Sequence, residues 1–317
     1  MKQLLLSMMA LVTFVSFNAC ADSNAGQDPA LAREFNENVQ NFGSTVPVTM
    51  EKENGKYRVN FILTAQNFEI RDSEENARYI SMIREAVKNE TPVHVFLRAQ
   101  TNEIVKVDAP TEEDIRYFKS LLTKETRTET QKAVSVIPNQ ATLTSLFNQI
   151  RNQSCGTSTA SSPCITFRYA VDGCYARAHK MRQILLNAGY DCEKQFVYGN
   201  LKASTGTCCV SWGYHVAILV SYKNASGTVE KRIIDPSLFT SGPVTDTAWR
   251  TACVNTSCGT ASASSYTNTA GNVYYRSPSG SLLYDNNYMN TNCVLTTFAS
   301  LSGCSPSPAP SVSSCGF

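Results

Sequence analysis

Cys174 is the residue of this sequence with the clearest potential for covalent chemistry. Asp172 and Gly173 precede it and suit a helix N-terminus, and Gly189 suits the far end, so a helix of about four turns is predicted. A thiol in the first turn faces the positive end of the helix dipole, which lowers its pKa and favours the nucleophilic thiolate. The unpaired N–H groups of that turn can also bind a developing oxyanion.

A structural role for Cys174 stays open on these grounds. It shares a helical stripe with Ala178, Met181 and Leu185, which is the spacing of a core-facing helix. An inward face suits a small core residue, and it also suits a nucleophile in a cleft. The presence of a nearby base therefore decides between the two interpretations.

The sequence contains three histidines that could serve as that base. His94 lies in a segment that we expect to be lost on maturation. His179 follows Cys174 on the same helix and points about 140° away from it, so we expect it at the surface. His215 remains, in the run WGYHVAILVSY, which is typical of a buried strand where a lone histidine is often structural.

A carboxylate near His215 favours the catalytic interpretation. A turn near residues 224–227 and a second strand predict an antiparallel hairpin, and a turn centred on Ala225 would place Asp235 directly opposite His215. A bulge could shift this register by a residue or two. Cys174 would then be the nucleophile, His215 the general base and Asp235 the residue that orients the imidazole. This set indicates acyl transfer, at a peptide bond or at a side-chain amide.

Other site chemistries have weaker support. Cys208, Cys209 and His215 could form a zinc site, but adjacent cysteines lack the spacing that places two sulfurs on one ion. No phosphate-binding loop and no basic, aromatic nucleic-acid surface is recognisable. We therefore expect no metal site and no nucleic-acid partner.

The cysteine pattern indicates how the elements around Cys174 are stabilised. Eleven cysteines follow Cys20, and all of them lie beyond residue 132. The sequence predicts five disulfide bonds and one remaining thiol, which we assign to Cys174. The loop-rich C-terminal part, rich in Ser, Thr, Asn and Gly, would need such bonds to stay ordered.

The N-terminus indicates export. Lys2 and the apolar run from Leu4 to Phe17 resemble a signal peptide, and Ala19-Cys20-Ala21 resembles its cleavage site, which gives a signal peptide of residues 1–21. Lipidation of Cys20 is the alternative. No later segment has the composition of a membrane span, so we expect a secreted protein with no membrane partner.

The rest of the chain divides into two unlike parts. Residues 22–132 lack cysteine and carry 19 acidic against 15 basic residues, whereas residues 133–317 carry 7 against 12. Strands and helices are predicted in the first part, with a capping box at Thr111, followed by a charged linker. We interpret it as a pro-segment that a protease removes near Lys132–Ala133, leaving 133–317 as the catalytic domain. A permanent accessory domain is the alternative.

Three stretches carry a family resemblance. DGCYARAHKMRQIL, YHVAILVSYKNASG and RIIDPSLF closely resemble the secreted bacterial protein-glutaminases of the Chryseobacterium type, and the likeness extends over 133–317. The resemblance implies an α+β fold with a transglutaminase- or papain-like core, preceded by a small α/β pro-domain. It also implies deamidation of glutamine in proteins and peptides without cofactor or metal, with Cys174, His215 and Asp235 as the catalytic residues.

The same resemblance implies that the pro-segment acts as an intramolecular inhibitor. We expect the extended Thr64-Ala65-Gln66 to lie in the cleft, because a strand with a small residue could mimic a bound chain. The alternative activities are acyl transfer to amines, as in transglutaminases, and papain-like peptidase activity. A disulfide-stabilised binding module without catalysis is the non-enzymatic alternative.

Overall fold

The computed structural model describes residues 38–124 and 135–315. The predicted signal peptide and the predicted cleavage site at Lys132–Ala133 lie outside the described residues. Contacts join the chain from Val39 onward into one compact unit. Helices and antiparallel sheets make up this unit, in agreement with the predicted mixture of helix and strand.

The secondary structure of the described ranges comprises thirteen strands and six α-helices. The strands are β1 (Val39–Thr45), β2 (Pro47–Glu53), β3 (Lys56–Phe61), β4 (Phe68–Arg71), β5 (Val93–Arg98), β6 (Ile104–Asp108), β7 (Thr123–Lys124), β8 (Glu193–Ser204), β9 (Cys209–Lys223), β10 (Val229–Ile234), β11 (Ser262–Ala270), β12 (Val273–Arg276) and β13 (Ser281–Tyr284). The helices are α1 (Ala77–Asn89), α2 (Glu112–Leu121), α3 (Gln140–Arg151), α4 (Cys174–Asn187), α5 (Asp246–Cys253) and α6 (Met289–Phe298).

The N-terminal part has a hydrophobic core of its own. Two antiparallel sheets, β2-β3-β4 and β1-β5-β6, pack with α1 around buried apolar residues that include Phe61, Phe68 and Ile83. The predicted capping box begins α2: the Thr111 hydroxyl accepts from the Asp114 N–H, and the Asp114 carboxylate accepts from the Thr111 N–H. Between β3 and β4 the chain leaves this core and enters a second one.

The second core belongs mainly to the C-terminal part. A four-stranded antiparallel sheet, β10-β9-β8-β11, packs against α4, and α4 in turn packs against α6. Val46, Ile62, Leu63, Ala65 and Phe118 of the N-terminal part are buried in the same cluster. The end of the N-terminal part also adds β7 to the edge strand β13. The two parts are therefore joined by a buried apolar contact and by strand pairing.

The prediction of five disulfide bonds is wrong for the described residues. Four bonds are present: Cys155–Cys164, Cys208–Cys304, Cys209–Cys258 and Cys293–Cys315. Cys192 and Cys253 are free thiols, as Cys174 is. The two lie in different surroundings, Cys192 near Lys194 at the start of β8 and Cys253 near Asp235 at the end of α5. Both are buried, so each acts as a small core residue, which a count of cysteines cannot reveal.

No helix within the described ranges has both the length and the apolar character needed to cross a membrane.

Candidate active site

Cys174 is the first residue of α4, as the sequence predicts. Gly173 before it has a φ of 80°, a left-handed conformation that glycine adopts without strain. A Cβ at Gly173 would lie 3.0 Å from a ring carbon of Phe298, so both conformation and space favour glycine there. The Asp172 carboxylate accepts from the Gly173 N–H at 2.7 Å. The thiol is thus fixed at a sharp turn from loop into helix.

Arg177, one turn into α4, holds the loop before the thiol. Its guanidinium donates to the backbone oxygens of Tyr169 (2.9 Å) and Asp172 (2.6 Å). The side chain is 2% exposed, so this part of the helix does not face solvent. The sequence alone gave no indication of this role, because a basic residue on a helix is usually solvated.

The prediction that His179 lies at the surface is wrong. His179 is buried, its Nδ1 lies 2.7 Å from the Lys194 ammonium, and its Nε2 lies 3.1 Å from the backbone oxygen of Asp285. Nε2 must therefore donate to the carbonyl, which leaves Nδ1 to accept from Lys194. Burial, followed by the Lys194 charge, lowers the pKa of His179 to about 2, and burial lowers the pKa of Lys194 to about 7. His179 is a neutral structural residue on the side of α4 away from Cys174.

His215 and Asp235 lie together, although the hairpin register differs from the predicted one. Ile234 pairs with Ile218 and Val229 pairs with Lys223, so the turn centres on Ser226 and the register is shifted by two residues. Asp235 follows the end of β10 and reaches His215 diagonally, with Nε2 and Oδ2 2.7 Å apart. Diagonal neighbours on one face of a sheet are within reach of longer side chains. Both residues are almost fully buried.

Two tryptophans, which no motif in the sequence marks as part of a site, enclose the imidazole. The Trp212 ring stacks on His215 with centroids 4.3 Å apart, and the Trp249 ring lies on it at 5.6 Å. Trp249 also donates its indole N–H to Oδ2 of Asp235 at 2.9 Å. These are the two tryptophans of the whole sequence. Their rarity and the position of Trp212 three residues before His215 were the available signals.

The Cys174 thiol lies against the strand that carries His215. The Val216 N–H forms a hydrogen bond with the sulfur, and Nδ1 of His215 is buried without a hydrogen-bond partner among the described residues. Burial raises the pKa of Cys174 to about 12, against a smaller lowering effect of Arg177. The sequence predicts a lowered pKa from the helix dipole. In the unprocessed chain, the loss of solvent around the sulfur outweighs the effect of the helix dipole, and the thiol is protonated.

The segment Thr64-Ala65-Gln66 lies beside these residues, in agreement with the sequence-based hypothesis. The Ala65 N–H donates to Oδ1 of Asp172 at 2.9 Å, and the Ala65 carbonyl accepts from the Gly213 N–H at 2.7 Å. Ala65 is fully buried. Ala65 therefore lies between Asp172, which is two residues before Cys174, and Gly213, which is two residues before His215. This part of the chain has the form of a strand bound in a cleft.

The zinc alternative is contradicted by the disulfide bonds, because Cys208 pairs with Cys304 and Cys209 with Cys258. Within the described ranges, no group of three or more His, Cys, Asp or Glu side chains could hold a metal ion.

Three features define the class of protein: a free thiol at a helix N-terminus, a buried His–Asp pair beside it, and a segment of the same chain bound between Asp172 and Gly213. They are features of the inactive precursors of cysteine-dependent enzymes. Comparison with known proteins narrows this class. The family model described as Glutaminase matches residues 143–253.

Solved structures give the more extensive matches. The crystal structure of pro-protein-glutaminase is 75% identical, with a TM-score of 0.84, and the match covers 88% of this chain and 99% of that one. A mutant of pro-protein-glutaminase is 74% identical, with a TM-score of 0.85 and coverage of 88% and 100%. Protein-glutaminase from Chryseobacterium proteolyticum, solved by NMR, is 86% identical over 58% of this chain and 100% of its own, with a TM-score of 0.56. A search of curated proteins gave no match. The chain belongs to the protein-glutaminase family, as its pro-form.

Proposed function

We propose that residues 133–317, once released, hydrolyse the side-chain amides of glutamine in proteins and peptides to glutamate and ammonia. The main support is the contact of His215 with Asp235, 2.7 Å between Nε2 and Oδ2, together with the free thiol of Cys174, which is hydrogen-bonded to Val216, the residue after His215. The membership in the protein-glutaminase family supports the choice of substrate amide. The chain is then a zymogen that carries its own inhibitor.

In the first half of the reaction, Cys174 attacks the glutamine carboxamide carbon. Nδ1 of His215 takes the thiol proton, and the N–H groups at the start of α4 stabilise the oxyanion of the tetrahedral intermediate. His215 then gives its proton to the amide nitrogen, the C–N bond breaks and ammonia leaves. The product of this half is a thioester between Cys174 and the glutamyl side chain.

In the second half, water replaces ammonia. His215 takes a proton from the water, whose oxygen attacks the thioester carbon. The C–S bond then breaks, and His215 returns the proton to the Cys174 sulfur, which gives glutamate and the free thiol. Asp235 accepts the hydrogen bond from Nε2–H throughout and stabilises the charged imidazole. The stacked rings of Trp212 and Trp249 restrict the imidazole to this orientation.

We assign residues 22–132 to the pro-segment and 1–21 to the signal peptide. The separate hydrophobic core of the N-terminal part supports the assignment of residues 22–132 to a pro-segment. β7 ends at Lys124 and the next described residue is 135, so a protease that cuts near Lys132–Ala133 would act between the two parts. The helix with Cys174 packed on the antiparallel sheet with His215 supports the assignment of a transglutaminase- or papain-like core. The four disulfide bonds support secretion.

The test compares ammonia release from a glutamine-containing protein by three forms: the intact chain, the chain processed near Lys132, and the processed Cys174→Ala variant. Release by the processed wild type alone is expected. Formation of Gln–Lys crosslinks without excess ammonia would instead favour amine transfer, and new N-termini in the substrate would favour a peptidase. Equal release by the Cys174→Ala variant would refute the proposal.

A further inference from the structure

The side-chain amide of Gln66 forms hydrogen bonds with both parts of the chain. Nε2 donates to Oδ2 of Asp172 at 3.3 Å and to the Thr64 hydroxyl at 3.4 Å. Oε1 accepts from the Ala309 N–H at 2.7 Å and from Nδ2 of Asn102 at 3.4 Å. Gln66 is 4% exposed. The two N–H donors and both acceptor positions of the amide are therefore used.

This set of partners requires an amide at residue 66. A backbone N–H can only donate, so Oε1 faces Ala309, and the amide nitrogen faces the carboxylate of Asp172. A glutamate in the same place would put an oxygen, instead of the nitrogen, 3.3 Å from Oδ2. Two carboxylates this close in a buried site cannot both be ionised, so one of them would have to bind a proton. The site thus distinguishes glutamine from glutamate, which are the substrate and the product of the proposed reaction.

The charged groups around Asp172 do not compensate a second carboxylate. Arg177 acts on the Asp172 charge, but its guanidinium already donates to two backbone oxygens. Burial raises the pKa of the other ionisable groups that act on Asp172, so these groups are neutral: Cys174 and Tyr175 on α4, Tyr169 before it, Tyr214 on β9 and Tyr274 on β12.

The crevice that Gln66 lines on its other side carries charges of both signs. Its charged side chains are Glu53, Lys56, Arg58, Glu69 and Lys202. Each of the three cations has a partner: Lys56 pairs with Glu69, Arg58 with Glu53, and Lys202 donates to the Ser211 hydroxyl. Among the described residues, a carboxylate beside Asp172 therefore meets neutral groups and cations that are already bound.

Cleavage near Lys132 does not by itself remove the pro-segment. β7 ends before the cut, so its pairing with β13 is unaffected, and so is the burial of Ile62, Leu63 and Phe118 in the second core. A cut chain therefore keeps its pro-segment as a non-covalent inhibitor, and a pro-segment that dissociates can rebind. On dissociation, the Gln66 amide loses its partners in the C-terminal part and becomes accessible.

We propose that Gln66 is a modification site of the enzyme itself: free mature enzyme deamidates Gln66 in dissociated pro-segments, and the modified pro-segment no longer rebinds at neutral pH. Water supplies the oxygen that replaces the amide nitrogen on the Gln66 side-chain carbon, the C–N bond breaks, and ammonia leaves by way of the Cys174 thioester. Activation is then irreversible, and it accelerates because each free enzyme molecule modifies further pro-segments. The inference rests on the proposed function, since the reaction is the same deamidation.

The first experiment follows residue 66 during activation. The wild-type chain and its Cys174→Ala variant are cut near Lys132, and tandem mass spectrometry measures the glutamate fraction at residue 66 beside ammonia release from an unrelated glutamine-containing protein. Gln66 should be converted in the cut wild type as its activity rises, and it should remain an amide in cut Cys174→Ala. A trace of active wild-type enzyme should convert Gln66 in cut Cys174→Ala too, because the reaction occurs between molecules.

The second experiment tests the effect of the product on inhibition in the uncut chain. Gln66→Glu makes the product directly, and Gln66→Met is the matched control because it removes the same hydrogen bonds without adding a charge. A carboxyl whose pKa is raised in the bound state binds fully below its ordinary pKa, about 4.3 for glutamate, and loses binding as the pH rises. This effect weakens pro-segment binding by about 1,000-fold at about pH 8 and by less than about tenfold at about pH 5.

Uncut Gln66→Glu should therefore release ammonia at least about tenfold faster than the uncut wild type at about pH 8, with each rate normalised to fully processed enzyme at the same pH. The excess should disappear at about pH 5, where the shared proton is available. Any excess in Gln66→Met should not change with pH, because that side chain does not titrate.

Full activation of the cut wild type with Gln66 still an amide would overturn the inference, as would equal inhibition of Gln66→Glu and wild type at the higher pH. Identical pH profiles of Gln66→Glu and Gln66→Met would also overturn it, because lost hydrogen bonds rather than charge would then explain both. The mass measurement on the wild type decides the point if a variant does not fold. Failure of the processed wild type to release ammonia from the unrelated protein would count against the proposed function instead.

Discussion

His215 and Asp235 are in contact without being register partners: Nε2 lies 2.7 Å from Oδ2, while Ile234, the residue before Asp235, pairs with Ile218. The aspartate lies just past the end of β10 and is held by a second donor, the Trp249 indole. Burial opposes its ionisation, but the charge and hydrogen bond of His215, with the Trp249 hydrogen bond, keep the pKa of Asp235 below its usual value. An ionised Asp235 fixes the proton on Nε2, so Nδ1 is the nitrogen that accepts the thiol proton in the proposed reaction.

Replacing Asp235 by Asn should therefore lower kcat of the processed enzyme by about 100- to 10,000-fold, because the amide no longer stabilises the charged imidazole. Ammonia release under saturating substrate measures the effect. Asp246→Asn is the matched control, since Asp246 forms a half-exposed ion pair with Arg250. A loss no greater than in the control would exclude the assigned role of Asp235.

Trp249→Phe should move the acid side of the pH profile of kcat to higher pH. The substitution removes a donor that lowers the pKa of Asp235, so the carboxylate becomes protonated at a higher pH as the solution is acidified. We also expect about a tenfold loss of kcat at neutral pH. Trp212→Phe is the comparison, because Trp212 stacks on His215 but donates to Ala170 rather than to Asp235. An identical shift in both variants would contradict this account.

The Cys174 thiol should react slowly in the pro-form. Its pKa of about 12 leaves almost no thiolate at pH 8, whereas release of the pro-segment restores solvent around the sulfur. Each unit of pKa is a factor of ten in thiolate, so iodoacetamide should alkylate the processed enzyme at least about 100-fold faster. Peptide mass spectrometry separates Cys174 from the buried Cys192 and Cys253. Equal alkylation rates in the two forms would show that the pro-segment does not bury the thiol.

Ala65→Phe should weaken inhibition by the pro-segment. Ala65 is fully buried between Asp172 and Gly213, and a larger side chain would displace the strand. The intact, unprocessed variant should release ammonia at least about tenfold faster than the unprocessed wild type. Ala77→Phe, at an exposed position of α1, is the control. Unchanged activity of the unprocessed Ala65→Phe chain would refute the role of this strand.

The processed protein should contain three thiols. Thiol titration under denaturing conditions, followed by peptide mapping, should find Cys174, Cys192 and Cys253 unpaired and the other eight mature cysteines in four bonds. A disulfide between Cys192 and Cys253 would restore the sequence-based count and contradict the structure. A disulfide at Cys174 in active enzyme would end its candidacy as nucleophile.

Features that depend on neighbouring residues can be predicted from the sequence. The position of Cys174 in the first turn of α4 and the capping box at Thr111 follow from capping preferences and apolar periodicity. The long matches around Cys174, His215 and Asp235 determined the family.

Features that depend on residues distant in the chain become visible only in the fold. The hairpin register placed Asp235 diagonally from His215, and packing buried His179 with Lys194, the opposite of its predicted exposure. The same holds for the pairing of cysteines, for the tryptophans around His215, and for the raised pKa of Cys174. Burial is a sum over contacts from many segments, so no local pattern specifies it.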